Sequence, residues 1–304
     1  MALDITVIIL TCNEEVHIRR CIERVRPVAA KVFVVDSFST DNTVAISEAL
    51  GADVYQNKWE NNHAKQFNWA LEHLPIKTEW VLRLDADEYL TDELIAELQV
   101  KLPALDKDVT GIVLPLRRVF MNRHIKRGVG KVFLLRIFKY GMGRCESRWM
   151  DEHISLSSGR QVVFEHEFAD HNLNNLGWWT AKHNGYSIRE AIDLLDVELG
   201  LLPNDQSHQA VLSEQAMAKR KRKLKYARAP LFLRSVAYFL YRYFLWLGFT
   251  EGKEGFLWHF LQGWWYRTLV DAKIYEIKKA CGNDKEKIVA FVKDNYGIDC
   301  RLNG

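Results

Sequence analysis

Two hydrophobic patterns alternate through the first hundred residues of the chain. Continuous apolar runs of strand length occupy positions 5–10, 32–35 and 80–84. Stretches with helical periodicity lie between and after them, at positions 16–25, 43–50, 63–74 and 92–102. Continuous apolar strands that alternate with helices are typical of a parallel sheet covered on both faces. The pattern therefore predicts an α/β fold with a mostly parallel, twisted sheet flanked by helices.

A different pattern begins near residue 110. Strand-like runs at 111–116 and 132–138 flank a basic loop, and a short run at 162–164 is a further candidate strand. A mostly helical stretch covers 176–200, and helices rich in aromatic residues are predicted from about 230 to 297. The second half of the chain is therefore predicted to end in a helical region.

Polar residues follow each of the three early strands. The first strand runs into Thr11 and Glu15, the second ends at Asp36, and the third ends at Asp85 and Asp87. Because ligands of such sheets bind beyond the carboxyl ends of the strands, these residues are the first candidates for a site. The first glycine of the chain is at position 51, so no glycine-rich dinucleotide motif follows the first strand.

The Asp85-Ala86-Asp87 sequence is a candidate metal site. In an extended segment, residues i and i+2 point to the same side, roughly 7 Å apart. Two carboxylates on one side repel each other unless a cation lies near them. Mg²⁺ and Mn²⁺ bind one or two carboxylates together with substrate phosphates. The alternative is an acidic, solvated turn.

Asp36 and Asp41 differ in what the sequence requires of them. Asp41 precedes a helical run and is expected to cap it by accepting hydrogen bonds from free backbone N–H groups. Asp36 directly follows a buried run, where we find no structural requirement for a carboxylate. It is therefore a candidate acceptor for a nucleobase or ribose.

Composition restricts the location of the protein more than its chemistry. The 304 residues carry a net charge of only +3, and the five cysteines include no Cys-x-x-Cys pair. An odd number of cysteines without paired spacing favours a reducing compartment. The N-terminus lacks the features of a signal peptide, so we expect a cytoplasmic protein.

The strand-end motifs resemble glycosyltransferase family 2. The resemblance rests on Val7 to Glu15, Val34 to Thr43 and Leu84 to Glu88, in this order and spacing. Weaker similarity continues to about residue 190, in the branch that builds bacterial lipopolysaccharide core, capsule and exopolysaccharide. It is carried by Arg117-Arg118, Arg136-Ile137-Phe138, Met150-Asp151-Glu152-His153 and Lys182 to Tyr186.

The resemblance implies an A-type nucleotide-diphospho-sugar transferase fold and a set of donor-binding residues. Thr11, Glu15 and Asp36 would line the nucleotide pocket, and Lys65 would lie near the nucleotide. A UDP-sugar is the favoured donor. Many members have an aromatic residue that stacks on the base where Cys12 stands here.

The same resemblance assigns the metal and the catalytic base. Asp87 would bind an Mn²⁺ or Mg²⁺ ion that bridges the diphosphate, and Asp85 would face the ribose or the metal. An acceptor hydroxyl that attacks a sugar must lose a proton, and Asp151 and Glu152 are the candidates, with Glu152 matching the family's base. One base opposite the leaving group implies inversion.

Alternative roles for these side chains remain open. Glu152 is alternatively a surface acid paired with Arg148. His171 is a candidate contact for the diphosphate or metal, and its alternative role is that of a hydrogen-bonded structural histidine. His166 has the same structural alternative. The basic loop at 117–131 either closes over the donor phosphates or is simply solvated.

The C-terminal segment is expected to meet a membrane. Residues 231–249 are nearly all apolar but contain Arg234 and Arg242, which makes a spanning helix costly. Trp and Tyr favour the interface, and the basic run 219–223 suits anionic lipid. Packing within the protein or a homodimer contact is the alternative. We predict a catalytic domain at 1–215, with a nucleotide-binding half at 1–105 and an acceptor half at 106–215, and a membrane-associating region at 216–304.

The leading hypothesis is an inverting glycosyltransferase that extends a lipid-linked glycan at the cytoplasmic face of the inner membrane. Transfer to a polyprenyl phosphate is a second enzyme hypothesis, in which a base is not needed. A catalytically inactive membrane scaffold is a third. Nucleic-acid binding is not expected, because the aromatics near the basic run are deeply apolar rather than interleaved with basic residues.

Overall fold

The computed structural model describes residues 2–60, 62–146, 153–201 and 226–300. Its first quarter is a parallel sheet with the strand order β3-β2-β1-β4. The strands are β1 (Ile5–Thr11), β2 (Lys31–Asp36), β3 (Asp53–Gln56) and β4 (Trp80–Asp85). The connecting helices are α1 (Ile18–Val25), α2 (Thr43–Ala49) and α3 (His63–His73).

Both faces of β1 are covered, as the continuous apolar run predicts. Val7 and Ile9 belong to the core shared with α1, whereas Ile8 and Leu10 belong to the core shared with α3. Phe67 is the largest completely buried side chain of α3. Truncating such a phenylalanine to alanine typically costs about 3–5 kcal/mol.

The second quarter extends this sheet in mixed directions. Its elements are β5 (Glu88–Leu90), α4 (Asp92–Lys101), a 3₁₀ turn (Leu102–Ala104), β6 (Val109–Phe120), β7 (Arg123–His124), β8 (Phe133–Lys139), β9 (Gly143–Cys145), β10 (Ile154–Leu156), β11 (Arg160–Val163) and β12 (Phe168–His171). Strand β8 pairs antiparallel with β4 and β6, and β12 pairs parallel with β6 and antiparallel with β5. Within the described residues, β9 and β10 form a separate hairpin.

The rest of the described chain is helical. It comprises α5 (Leu176–Leu199), α6 (Leu233–Leu240), a π turn (Tyr241–Leu245), a 3₁₀ turn (Gly248–Glu251), α7 (Gly252–Trp258), a second π turn (His259–Trp265), α8 (Tyr266–Cys281) and α9 (Lys285–Tyr296). Helices α5, α8 and α9 share one hydrophobic core. In the ranges that the structure describes, we find no helix that combines the length and hydropathy needed to span a membrane.

Candidate active site

Thr11 and Asp36 meet where β1 and β2 end. The Thr11 hydroxyl donates a hydrogen bond of 2.9 Å to Asp36 Oδ1, and the backbone N–H of Ser39 donates one of 2.8 Å to Asp36 Oδ2. Asp36 is completely buried. Our expectation that a carboxylate has no structural role at position 36 is therefore wrong: Asp36 fastens the loop after β2 to the end of β1.

The loops after β1 and β2 are locked together. The N–H of Asn13 donates to Ser39 Oγ at 2.8 Å, and the N–H of Thr40 donates to Asn13 Oδ1 at 2.8 Å. Asn13 has a φ of 56°, in the left-handed region that asparagine tolerates better than most residues. Two strand ends that are bonded this closely form a rigid edge.

Glu15 and Asp41 add further hydrogen bonds between the loops after β1 and β2. Glu15 Oε2 accepts hydrogen bonds from the backbone and side-chain nitrogens of Asn42, and Asp41 Oδ2 accepts one from the N–H of Glu15. Asp41 Oδ1 also accepts from the N–H of Thr43 at 3.0 Å. Asp41 thus satisfies a free N–H of α2 as predicted, although Asn42 occupies the N-cap position.

Asp85 and Asp87 are separated by a turn. Asp85 is the last residue of β4, and Ala86 and Asp87 form the turn into β5. Our assumption of one extended segment is therefore wrong. A turn forms because the chain reverses into β5, which pairs with β12 rather than continuing along β1.

Two arginines flank Asp85. Asp85 Oδ1 lies 3.8 Å from Arg83 Nη2, and Oδ2 lies 3.8 Å from Arg136 Nη2. Burial alone would raise the pKa of Asp85, but the two guanidiniums outweigh it and hold the pKa at about 2. Glu88 shares Arg136 and accepts the N–H of Asp85 at 2.9 Å. Asp85 is therefore ionised and largely balanced by protein cations.

The Asp87 carboxylate, unlike that of Asp85, forms no ion pair with a flanking arginine among those the structure shows. Its Oδ2 accepts a hydrogen bond of 3.0 Å from the Asn172 side-chain amide. Its backbone carbonyl accepts bonds from the N–H of His171 at 3.0 Å and from Arg20 Nη2 at 3.2 Å. The turn is thus held through its backbone, while the Asp87 carboxylate makes a neutral amide contact.

His171, at the end of β12, lies next to this turn with both ring nitrogens engaged. Nδ1 lies 3.0 Å from Arg20 Nη1 and Nε2 lies 2.9 Å from Asn122 Oδ1. Because a guanidinium only donates, Nδ1 accepts and Nε2 carries the proton. Burial and the Arg20 charge lower the pKa of His171 to about 4. Its predicted metal contact would require one of these bonds to break.

Residues at the start of α1 hold the segment after β12. His17 is completely buried; its Nε2 accepts the N–H of Leu173 at 2.8 Å, and its Nδ1 contacts Glu14 Oε2 at 2.5 Å. Arg20 lies on the same helix and also bonds the His171 carbonyl at 2.5 Å. The sequence did not identify these two residues, because each one falls in a helical pattern.

Lys182 on α5 is a further cation that the sequence left without a role. Its Nζ lies 4.6 Å from the Trp178 ring centroid and 5.7 Å from that of Tyr186. Burial opposes its charge, but Tyr186, Asp87 and Glu14 outweigh burial and raise the pKa of Lys182. Asp170 faces the same carboxylates, and burial and Asp87 raise its pKa to about 7.

Lys65, near the start of α3, pairs with an acidic side chain, and its position near a nucleotide stays a prediction. Its Nζ lies 3.5 Å from Glu60, and its side chain is half exposed. The next residue, Gln66, is buried and donates to Ser37 Oγ at 3.1 Å. Gln66, rather than Lys65, is therefore the α3 residue that contacts the loop after β2. A polar residue on the buried face of α3 is the sequence signal for it.

The segment that contains Asp151 and Glu152 lies outside the described residues. On either side of it, the N–H of Glu146 donates to the carbonyl of His153 at 2.9 Å. The buried amide of Asn68 accepts from the N–H of Cys145 at 2.9 Å and donates to its carbonyl at 2.8 Å. Helix α3 thereby fixes the hairpin from which this segment departs.

The basic loop before β8 is bound by the C-terminal region. The N–H groups of Lys126 and Arg127 donate to Glu251 Oε1 at 3.2 and 2.7 Å. Arg242 Nε donates to the carbonyl of Gly128 at 2.8 Å. The loop backbone is therefore anchored on these helices instead of on the strand-end carboxylates.

Comparison with known proteins gives a family match and several relatives. The family model described as Glycosyl transferase family 2 matches residues 6–168. The lipopolysaccharide core biosynthesis glycosyltransferase LpsC of Rhizobium meliloti is 27% identical over 90% of this chain and 93% of that protein. An uncharacterized glycosyltransferase of Rickettsia bellii is 39% identical over 34% of this chain, and the chain covers only 34% of that protein's length.

Solved structures give only a partial likeness. Glucosyl-3-phosphoglycerate synthase from Mycobacterium tuberculosis, in complex with Mn²⁺, UDP and glucosyl-3-phosphoglycerate, matches at 20% identity over 38% of this chain and 43% of that chain. The TM-score is 0.31, and a likeness this low supports no inference about the substrate or metal of this chain. The family match, by contrast, spans more than half of the 304 residues, including the strands that end at Thr11, Asp36 and Asp85. This chain belongs to glycosyltransferase family 2 and has its α/β, A-type fold.

Proposed function

We propose that this protein is an inverting, metal-dependent glycosyltransferase that moves a sugar from a nucleotide-diphospho-sugar to a lipid-linked glycan in bacterial surface polysaccharide synthesis. One observation carries the proposal: Asp36, Asp85 and Asp87 lie at one edge of the sheet in a family 2 chain. Thr11 pairs with Asp36, and Leu10 pairs with Asp85, across adjacent parallel strands. Asp36 and Asp85 therefore end the two strands that flank β1, about one residue apart in level, and Asp87 follows in the turn after Asp85.

The nucleoside binds at the locked loops after β1 and β2. Asp36 and Thr11 shape this end of the pocket, and Glu15 lies at its rim. Cys12 is exposed and offers no ring for stacking. Phe38 is 56% exposed and directly follows Ser37, whose carbonyl lies 3.9 Å from the Cys12 sulfur. We therefore assign to Phe38 the aromatic face that position 12 lacks. The favoured donor is a UDP-sugar.

Asp87 is the residue best suited to a divalent cation. Its carboxylate is held by a neutral amide, whereas that of Asp85 is balanced by Arg83 and Arg136. Among the described residues no group of three or more His, Cys, Asp and Glu side chains suits a metal. Mg²⁺ and Mn²⁺ bind one or two protein carboxylates and take their remaining ligands from substrate phosphates and water. When bound, such an ion neutralises charge on the leaving diphosphate.

Lys182 is proposed to complement the charge of the leaving diphosphate. It is a partly buried cation near Asp87 and Glu14, held between the faces of Trp178 and Tyr186. A fixed cation in a site of low dielectric stabilises charge that develops on a departing phosphate. The side chain is already in place before substrate binds.

Glu152 is proposed to be the catalytic base, with Asp151 as its neighbour. The acceptor hydroxyl transfers its proton to the base while its oxygen bonds to the anomeric carbon, and the nucleoside diphosphate leaves from the opposite face. Glu152 belongs to the segment after β9, whose start Asn68 clamps through Cys145. The acceptor half of the proposed catalytic domain, 106–215, contains this segment, and the helical region at 216–304 carries the membrane contacts.

The proposal is tested by calorimetric titration with UDP, GDP, TDP and CDP, each with and without Mn²⁺. We expect one nucleotide, with UDP favoured, to bind in an Mn²⁺-dependent way, and Asp87→Ala to weaken that binding at least tenfold. Asp106→Ala, which removes an exposed carboxylate paired with Arg160, is the matched control and should bind as the wild type does. Absence of nucleotide binding in every condition would overturn the transferase proposal in favour of the inactive scaffold.

A further inference from the structure

The C-terminal region, besides its hydrophobic core, buries several polar and charged side chains while it exposes large apolar ones. Among their most buried side chains are the polar or charged groups of Arg234, Arg242, Glu251, His259 and Asp271. Large apolar side chains of the same segment are 38–73% exposed. These are Leu240, Tyr241, Phe244, Leu245, Trp246, Leu247, Phe249, Phe256 and Trp264, which we call the aromatic face. Charged groups inside with apolar groups outside is the arrangement of lipid-facing protein surfaces.

The buried charges of Arg234 and Asp271 are bonded to each other and to the backbone. Arg234 forms an ion pair with Asp271, at 2.8 Å from Nε to Oδ1, and donates to the carbonyls of Tyr226 and Ala227. The other Asp271 oxygen accepts the N–H of Phe232 at 2.7 Å. These bonds fix α6 on α8 with its arginine inward. The exposure of its apolar side chains is therefore built into the fold.

Ring contacts through Tyr243 and Phe260 join four members of the aromatic face. The Tyr243 ring contacts Phe244, Phe249 and Phe256 at centroid distances of 5.2, 6.4 and 5.8 Å. The series continues through Phe260 to Trp264, with centroid distances of 6.1 and 5.7 Å. A contiguous exposed apolar surface of this kind marks an interaction site rather than scattered surface hydrophobics.

A cationic loop borders this surface. Lys126, Arg127 and Lys131 are exposed, and the N–H of Gly128 donates to the carbonyl of Trp246 at 2.9 Å. The buried carboxylate of Glu251 fixes the same loop through its backbone, so the lysine and arginine side chains remain outward. Arg228, just before α6, is also exposed.

We infer that the aromatic face and the 126–131 loop form a docking surface for an anionic lipid bilayer. Leu245, at 73% exposure, is a protruding apolar tip, which inserts into a bilayer more readily than it fits a flat protein contact. Tryptophan and tyrosine favour the headgroup region, and the adjacent cations match anionic headgroups. A second copy of the chain offers this loop a surface of the same positive charge, so the observations favour lipid.

Side-chain packing on α5 connects the C-terminal region to the candidate active site. Trp179 on α5 packs against Phe120 and Trp265 at centroid distances of 6.0 and 6.4 Å. The neighbouring His183 ring contacts Gln262 at 2.6 Å. Because Lys182 lies on the same turn of α5, docking would place the catalytic edge at a fixed orientation to the bilayer, where a lipid-linked acceptor is presented.

Vesicle co-sedimentation of the full chain tests the inference. The assay contains no nucleotide or acceptor, so its outcome is independent of the proposed transfer. We expect binding to vesicles of phosphatidylcholine with phosphatidylglycerol, weaker binding to phosphatidylcholine alone, and weakening by salt. Leu245→Asp/Phe249→Asp should reduce binding at least tenfold, whereas Val100→Asp, on the exposed face of α4, should not.

A second pair of variants tests the cationic loop. Lys126→Ser/Arg127→Ser should reduce binding to anionic vesicles about 30-fold, since each basic residue near the surface contributes about fivefold. Lys77→Ser/Lys107→Ser removes the same charge from exposed positions elsewhere and should leave binding unchanged. Failure of the wild type to bind anionic vesicles would overturn the inference. So would a vesicle-free dimer that Leu245→Asp/Phe249→Asp converts to monomer by light scattering, since the face would then serve a second copy.

Discussion

Arg20 bonds His171 at two points, its Nη1 lying 3.0 Å from the ring Nδ1 and its Nη2 lying 2.5 Å from the carbonyl oxygen. The same guanidinium bonds the Asp87 carbonyl at 3.2 Å and lies over the Tyr89 ring at 4.8 Å. One side chain of α1 therefore joins the end of β12 to the turn that carries Asp87. Arg20 acts as a positioning residue for the candidate metal site.

Replacing Arg20 is expected to raise the pKa of His171. Burial and the Arg20 charge hold that pKa at about 4, and Arg20→Met removes the charge and the bond at Nδ1. The imidazole should then titrate closer to the ordinary value of about 6.5. NMR titration, with His171→Asn to assign the signal, measures this directly. Arg19→Met, which removes an exposed arginine of the same helix, is the control and should not shift the signal.

The sign of the linked stability follows from the lowered pKa. Between about pH 6.5 and pH 4 the unfolded chain binds a proton at His171 that the folded chain does not. The stability that His171 contributes is therefore present above this window and is lost as the pH falls through it. Arg20→Met should narrow this pH window, because the pKa of His171 in the folded chain would move closer to its value in the unfolded chain. If the His171 titration is the same in the variant and the wild type, burial alone sets the pKa.

Glu152→Gln is expected to lower kcat by about 10²- to 10⁴-fold, because the amide cannot accept the proton of the acceptor hydroxyl. Nucleotide affinity should be retained, since the base contacts the acceptor. Asp151→Asn is the matched neighbour and should keep most of the activity. A large loss in Asp151→Asn alone would move the assignment to Asp151. Full activity in both variants would favour transfer to a phosphate acceptor, which needs no base.

Lys182→Met should weaken binding of a nucleoside diphosphate about tenfold and leave binding of the nucleoside alone unchanged. The reason is that Lys182 is a partly buried cation near Asp87, where it complements phosphate charge. Calorimetry with UDP and uridine separates the two contributions. Lys77→Met, at an exposed position after α3, serves as the control. Equal loss of UDP and uridine binding would mean that Lys182 only supports the packing of α5.

The sequence predicted three of the four parallel strands, β1, β2 and β4, for a physical reason, and missed β3. Residues 5–10 are nearly all apolar because both faces of β1 are buried, whereas a strand with one solvated face would alternate apolar and polar residues. Strand β12 escaped prediction because only Phe168 and Ala169 of its four residues are apolar. Yet β12 carries Asp170 to the site beside the candidate His171, so the weak strand signal left Asp170 unidentified.

The roles of individual side chains were harder to predict than the strands that carry them. Asp36 follows β2 as predicted, but its bonds to Thr11 and Ser39 depend on the conformation of two loops. Arg234 makes a spanning helix costly on the sequence alone, whereas its inward direction depends on Asp271, 37 residues later in the chain. Partners this distant in sequence leave no local pattern.

Removing one partner of the Arg234–Asp271 pair should strongly destabilise the C-terminal helices. Both side chains are buried, so Arg234→Met leaves the Asp271 charge without its partner and should cost about 3–5 kcal/mol in urea unfolding. Arg234→Met/Asp271→Asn removes the stranded charge but keeps an acceptor for the N–H of Phe232, and should recover part of that loss. Arg160→Met, which breaks an exposed pair with Asp108, should change the unfolding midpoint little. Equal instability of the single and double variants would show that packing of the arginine stem, rather than the buried charge, holds α6 on α8.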